Sequence, residues 1–334
     1  MSNEDVEEAM LAGWFERCGP ADEVIQIGEM PTPEAGPGEI LVRMHASGIN
    51  PSDYKRRGNA KAAIEFPRVV PHSDGAGVVA ALGPGVEGFA VGDRVWVYHA
   101  QWGRPLGTAA EYAALPASLV RPLPEGLTFE QGACLGIPAM TAHRCVFGGG
   151  PVDGKTVYVP AAAGRVGAYA VQLAKRGGAR VIASASDAAK RDVAAALGAD
   201  LVLDRADPDL AKRLMDETNG RGVDRIVEID LPGNIKFDEA VVADGGGIAV
   251  YGASPQPTAV LTLSPRRARN LDVQVVFVYT LQPAIIEATC RGVGEAAGSL
   301  IHRIAGVYPL RDLATAHKGA ETSSGSGHVV VAIP

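Results

Sequence analysis

Thr156-Val157-Tyr158-Val159-Pro160-Ala161-Ala162-Ala163-Gly164-Arg165-Val166-Gly167 is the stretch whose reading decides the fold. Its first four residues read as a buried strand, and the small residues after them as a tight turn. Val166, Ala170, Leu173 and Ala174 then fall at i, i+4, i+7 and i+8, the spacing of an amphipathic helix. Going outward, Arg180 to Ser184 predicts a second strand, and Ala189, Val193, Ala196 and Leu197 a second helix that Gly198 stops. Strands over Asp200 to Leu203, Val223 to Ile229 and Gly247 to Tyr251, with a helix over Asp207 to Thr218, continue the alternation. Such alternation is that of an α/β doubly wound parallel sheet, which binds ligands at the carboxyl ends of its strands.

The flanks read differently. Residues 11 to about 125 are rich in Gly, Pro and short apolar runs such as Glu39 to Met44 and Asp93 to Tyr98, which predict antiparallel β-structure. After residue 270 come one very apolar strand, Val273 to Tyr279, a helix from Pro283, and a tail whose Val329 to Ile333 returns to the first domain as a closing strand. The expected division is a mostly-β domain over 1–125, completed by 270–334, and a dinucleotide-binding domain over 126–269. A chain of 334 residues fits two domains.

Composition narrows the function. A net charge of -7 with scattered Lys and Arg argues against nucleic acid as a partner. Cys18, Cys134, Cys145 and Cys290 have no C-x-x-C spacing, so neither a disulfide framework nor a structural zinc site is implied. No stretch approaches the roughly 18 uninterrupted apolar residues of a membrane span, and the acidic start Met1-Ser2-Asn3-Glu4-Asp5 is unlike a signal peptide. A cytoplasmic protein is expected.

The turn Ala163-Gly164-Arg165-Val166-Gly167 lets the backbone approach a pyrophosphate held by amides at the following helix N-terminus. Ala162 occupies the first position of G-x-G-x-x-G, so the setting between strand and helix carries the reading. At the end of the second strand a carboxylate would hold a ribose 2′-hydroxyl. Ala183-Ser184-Ala185-Ser186 stands there instead, which suits a 2′-phosphate with Ser184, Lys190 and Arg205 as its ligands and NADPH as the cofactor. Lys190 and Arg205 also read as ordinary solvated charges; Asp187 favours NAD, or caps the second helix. Arg165 either reinforces the phosphate contacts or points to solvent. Glu228 and Asp230 either face the cleft or cap the turn before Pro232.

Gly48-Ile49-Asn50-Pro51-Ser52-Asp53, Asp74-Gly75-Ala76-Gly77 with Gly83, Pro138-Ala139-Met140-Thr141-Ala142 and Gly164-x-x-Gly167-x4-Gln172-x-x-Lys175 together resemble a known pattern. It is that of the zinc-independent quinone oxidoreductase branch of the medium-chain dehydrogenase/reductase superfamily, related to zeta-crystallin, from about Leu11 to Pro334. The departures are Tyr158 where the branch usually has Leu, and Arg165 where it usually has Gly. The resemblance implies a GroES-like first domain joined to a Rossmann domain. It also implies NADPH:quinone oxidoreductase activity and a homodimer paired through the Val273–Tyr279 region.

By the same resemblance Asn50 and Thr141 lie at the nicotinamide end, and Gly252, Ala253 and Phe277, Val278 and Tyr279 line the ring and its carboxamide. Asn50 is the candidate catalytic residue, as donor to a developing oxyanion. Tyr54 is a candidate proton donor or stacking wall, against its reading as a packing tyrosine. Zinc members of the superfamily have Cys where Asn50 stands, His72 is offset by one from their ligand position, and their four-Cys lobe is missing between Val95 and Tyr112. A metal-free enzyme lacks a Lewis acid, so its acceptor must already be electron-poor, as a quinone is. The alternatives are an enone, alkenal or enoyl-thioester reductase, and a crystallin-like NADPH-binding protein with little activity. Arg57-Gly58-Asn59-Ala60 lacks the Tyr of the enoyl-thioester members.

Overall fold

The structure is a computed structural model and describes residues 8–252, 258–260, 270–322 and 327–334. The chain divides into two compact units, residues 1–138 with 297–334, and residues 139–296.

The first unit begins with β1 (Ala9–Trp14), α1 (Ala21–Val24), β2 (Gln26–Pro31) and β3 (Glu39–Ile49). Then follow α2 (Pro51–Gly58), β4 (Asp74–Leu82), β5 (Arg94–Val97), β6 (Tyr112–Pro116), β7 (Val120–Pro122) and α3 (Phe129–Gly132). The second unit holds α4 (Met140–Phe147), β8 (Thr156–Val159), α5 (Arg165–Arg176), β9 (Arg180–Ala185), α6 (Ala188–Ala196), β10 (Leu201–Asp204) and α7 (Leu210–Glu217). It continues through β11 (Val223–Glu228), α8 (Leu231–Val241), β12 (Val242–Val250), β13 (Asp272–Val275) and α9 (Pro283–Ala297). The chain then returns to the first unit with β14 (Ile304–Pro309), α10 (Leu313–Thr322) and β15 (His328–Ala332).

In the second unit a parallel sheet runs in the order β10-β9-β8-β11-β12-β13, so strand order reverses between β8 and β11. All four residues of β8 are buried, as a strand covered on both faces requires. Gly164 is the N-cap of α5, whose inner face carries the buried Ala170, Val171, Leu173 and Ala174. Lys175 and Arg176 close it where a helix C-terminus favours positive charge. Asp187 caps α6 by accepting from the Lys190 amide at 2.9 Å, as one of its two readings held.

In the first unit the sheet order is β14-β15-β3-β4-β5-β7, with β6 also on β3. The tail strand does close this sheet, β15 lying antiparallel to β3 with Val330 opposite Gly48. A core of Ile40, Val42, Met44, Val79, Val95, Leu115 and Val331 packs beneath it.

Two expectations need correction. The units divide at 138/139 and 296/297 rather than at 125/126 and 269/270. The reason is that β13 pairs with β12 in the parallel sheet, so 270–296 belongs to the second unit. The strand expected over Val273 to Tyr279 ends at Val275, because a 3-10 turn occupies Val278–Thr280.

Candidate active site

In the second unit, the turn from β8 to α5 is held by the Gly164 amide on Ala161 O at 2.9 Å and the Ala162 amide on Ser184 O at 3.2 Å. Ala161 has φ 52, a left-handed conformation that costs an alanine about 1 kcal/mol. A Cβ on Gly167 would run into the Ala161 carbonyl, so only glycine lets α5 start this close to the turn. Gly252 sits against Ile229 O in the same way. Together the turn and the twelve-residue helix behind it form the cradle that a dinucleotide pyrophosphate needs.

At the end of β9 the expected ligands separate. Ser184 is fully buried and its Oγ lies 2.8 Å from the Tyr158 hydroxyl. Tyr158 in place of Leu brings a buried hydroxyl that must find a partner, and Ser184 is that partner. Ser184 is therefore turned inward, and the hydroxyl at the exposed strand end is Ser186, which accepts from Lys190 Nζ at 3.2 Å. Lys190 Nζ also lies 2.9 Å from Asp187 Oδ2, which neutralises part of that carboxylate. Arg205 is exposed just past β10, and its amide donates to Ala185 O at 3.0 Å, which places it beside the same strand end. Arg165, the first residue of α5, and Val166 are half-buried, while Ala163 is buried in the turn.

Thr141 lies buried in the first turn of α4. Val278 is buried, and the Phe277 and Tyr279 rings meet at 5.2 Å. Ala253 falls outside the described residues. Asp230 caps α8 through the Gly233 amide at 3.2 Å, and Glu228 accepts from the Asp230 amide at 2.5 Å and Asn234 Nδ2 at 2.9 Å. Beside Glu228, the Asp238 side chain is fully buried. Burial pushes its carboxyl up to about 9, and the Glu228 carboxylate adds to the shift.

In the first unit, Asn50 is the buried N-cap of α2. Its Nδ2 donates to Asp74 Oδ2 at 2.7 Å, and its amide donates to Asp53 Oδ2 at 2.7 Å. Asp74 also accepts from the Ile137 amide at 2.8 Å; burial drives its carboxyl well above the usual range, against the Asn50 hydrogen bond. Tyr54, also on α2, is half-buried and packs on the core of this unit.

The donors here do not suit a catalytic zinc. Asn50 replaces a thiolate and is bound to Asp74, and both ring nitrogens of His72 are engaged, Nδ1 by Ser47 and Nε2 by His317. No group of three His, Cys, Asp or Glu side chains among the described residues is placed to hold a metal ion.

Asp74 and Ser186 were not singled out from the sequence. Asp74 was read only as part of a glycine motif, and Ser186 was missed because the strand runs one residue further than its apolar pattern shows.

A parallel sheet with a glycine turn at its reversal point in one unit, and a seven-stranded sheet in the other, is the architecture found in two-domain nucleotide-dependent oxidoreductases. Residues 36–125 match the model of the alcohol dehydrogenase GroES-like domain, and residues 166–291 that of the zinc-binding dehydrogenase. The chain is 30% identical over 320 residues to the quinone oxidoreductase of Rattus norvegicus, covering 93% of each. It is 34% identical over 214 residues to a trans-enoyl reductase of Aspergillus terreus, covering 60% of this chain and 70% of that one. A mycobacterial protein solved with NADPH superposes with a TM-score of 0.81 at 29% identity, covering 97% of this chain and 99% of the other. The chain belongs to the medium-chain dehydrogenase/reductase superfamily, among its quinone oxidoreductases.

Proposed function

We propose that this enzyme is an NADPH-dependent, zinc-independent quinone oxidoreductase. The observation that carries the reading is the engagement of the first unit's donors. With Asn50 on Asp74 and His72 on Ser47 and His317, the side chains at and beside the zinc-ligand positions of zinc members are already engaged, which supports an acceptor that is electron-poor before it binds. The bound dinucleotide supplies a hydride, two electrons and one proton's nucleus, to that acceptor. The chain supplies the rest. The α5 N-terminus and the turn Ala163–Gly167 hold the pyrophosphate, and Lys190, Ser186 and Arg205 hold the 2′-phosphate. Gly252 and the Phe277–Tyr279 segment line the ring side, with Thr141 at the nicotinamide end. Asn50 orients the acceptor oxygen through its remaining amide hydrogen, a donor fixed in place before reaction. The second proton of the hydroquinone comes from water.

A panel assay tests this: NADPH oxidation by quinones, with activity that survives a zinc chelator. Loss of activity to the chelator contradicts the metal-free reading. The likeness to a trans-enoyl reductase favours a second acceptor class, enones and enoyl groups, which take the hydride at carbon with the same geometry. Tight NADPH binding without turnover identifies the crystallin-like binding protein instead.

We also propose a cytoplasmic homodimer. Among the described residues β13 is an edge strand, with Val275 77% exposed and Phe277 just beyond it 47% exposed, and an apolar edge invites pairing with a second copy. A monomeric mass in solution contradicts it. No helix among the described residues is long and apolar enough to cross a membrane.

A further inference from the structure

The first unit contains a run of buried polar side chains. Arg57 Nε donates to His317 Nδ1 at 3.3 Å, and His317 Nε2 lies 3.0 Å from His72 Nε2. His72 Nδ1 lies 2.7 Å from Ser47 Oγ, Ser47 Oγ lies 2.7 Å from Thr108 Oγ1, and Thr108 Oγ1 donates to the Asp74 carbonyl at 2.7 Å. Arg57, His72, Ser47, Thr108 and His317 are each at most 1% exposed.

The ends of this run fix every proton in it. A guanidinium only donates, so His317 Nδ1 must carry the lone pair and its Nε2 the hydrogen. His72 Nε2 then accepts, and its Nδ1 carries the hydrogen toward Ser47. A carbonyl only accepts, so the Thr108 hydrogen is spent on Asp74, Ser47 must donate to Thr108, and Ser47 must accept from His72. The two deductions start from opposite ends and give the same tautomers. A further proton on either imidazole would set N–H against N–H, at the His72–His317 contact or at Arg57. Burial, which lowers the proton affinity of both rings, acts in the same direction. The other charged or titratable groups around the run are Glu321 of α10, ion-paired to Arg57, Cys18, and Asp22 of α1, paired to Lys318 at 2.8 Å.

The run terminates on the residue that holds Asn50. His72 has φ 78, a left-handed conformation that a neighbouring contact must stabilise, and its carbonyl accepts from the Thr108 amide at 3.1 Å. Two residues later, the Asp74 carboxyl takes Asn50 Nδ2.

We propose that Arg57, His317, His72, Ser47 and Thr108 form a one-way hydrogen-bond chain that fixes the 72–74 backbone and, through Asp74, the direction of the Asn50 amide. His72 and His317 are thus positioning residues. This rests on the reading of Asn50 as the residue that orients the acceptor.

The full-length protein with 15N-labelled histidine tests the chain without any turnover. Long-range proton–nitrogen correlations are expected to show neutral His72 with hydrogen on Nδ1 and neutral His317 with hydrogen on Nε2 between pH 5 and 8. The opposite tautomers, or a charged ring, overturn the proposal. His72→Gly removes the imidazole and adds no strain to the left-handed backbone. It is expected to shift the Asn50 side-chain amide resonance and to lower kcat about tenfold, with KM for NADPH unchanged. His72→Asn, whose amide can still donate to Ser47, is expected to recover most of both. An unshifted Asn50 signal in His72→Gly overturns the positioning role. A shifted signal in a protein that reduces no quinone upholds the chain and sinks only the quinone reading. A merely structural role would lower thermal stability in both variants alike and leave kcat unchanged.

Discussion

Replacing Asp238 by Asn keeps the shape of the side chain and removes its charge. In the fold this carboxyl is fully buried and is held protonated up to about 9, first by burial and then by Glu228. In the unfolded chain it titrates near its ordinary value of 3.8. Because the folded-state pKa is raised, the associated stability is fully present below pH 3.8 and is lost as pH climbs toward 9. Across that window the folded protein keeps one proton that the unfolded chain has released. The wild type should therefore lose about 1.4 kcal/mol per pH unit relative to Asp238→Asn, or about 4 kcal/mol between pH 5 and pH 8. Urea unfolding at several pH values in that range measures it, since the shift in midpoint at constant slope gives the difference directly. The variant is expected to be the more stable protein at pH 8 by most of that amount, with the two curves converging toward pH 4. Parallel stability profiles would refute the reasoning, because they would mean that Asp238 is ionised in the folded state.

Removing Lys190 or Arg205 as alanine should raise KM for NADPH about tenfold each, the worth of one charge-assisted contact, and leave KM for NADH unchanged; equal effects on both cofactors contradict the 2′-phosphate reading. Gly167→Ala presses a methyl group on the Ala161 carbonyl and should weaken NADPH binding at least about tenfold in a protein that still folds, read by fluorescence titration. Of the seven histidines, burial lowers the proton affinity of His45, His72, His99, His143, His302 and His317, that of His72 to about 3 and those of His99 and His143 to about 4. A depressed histidine contributes stability above pH 6.5 that is lost as pH falls, so unfolding below pH 6 should take up several protons, at about 1.4 kcal/mol per proton per pH unit. Asp238 and Asp74 oppose this with at most one proton each; a flat profile from pH 7 to pH 5 contradicts it.

The second unit was largely legible in the sequence, because its strands and helices are local and each carries its own period. Thr156 to Val159 and its turn needed no distant partner to be read. Domain boundaries were not legible: the short β13 shows its allegiance only by pairing with β12. β14 was invisible for a similar reason, since its half-buried alternation gains meaning only beside β15. At the candidate site, Ser184 is turned inward onto Tyr158, away from the strand end where Lys190 and Arg205 lie. A buried tyrosine on one strand captures a serine on the next, and single-strand patterns do not report cross-strand pairs. His72 and His317 are 245 residues apart, so their contact has no sequence signature at all.

Zinc-free quinone reduction is read out by NADPH and NADH oxidation against 1,4-benzoquinone, 9,10-phenanthrenequinone and a small enone, with and without a zinc chelator. NADPH-specific, chelator-resistant turnover with the quinones is expected. Turnover that the chelator abolishes, or NADPH binding with no quinone reduced, would contradict it.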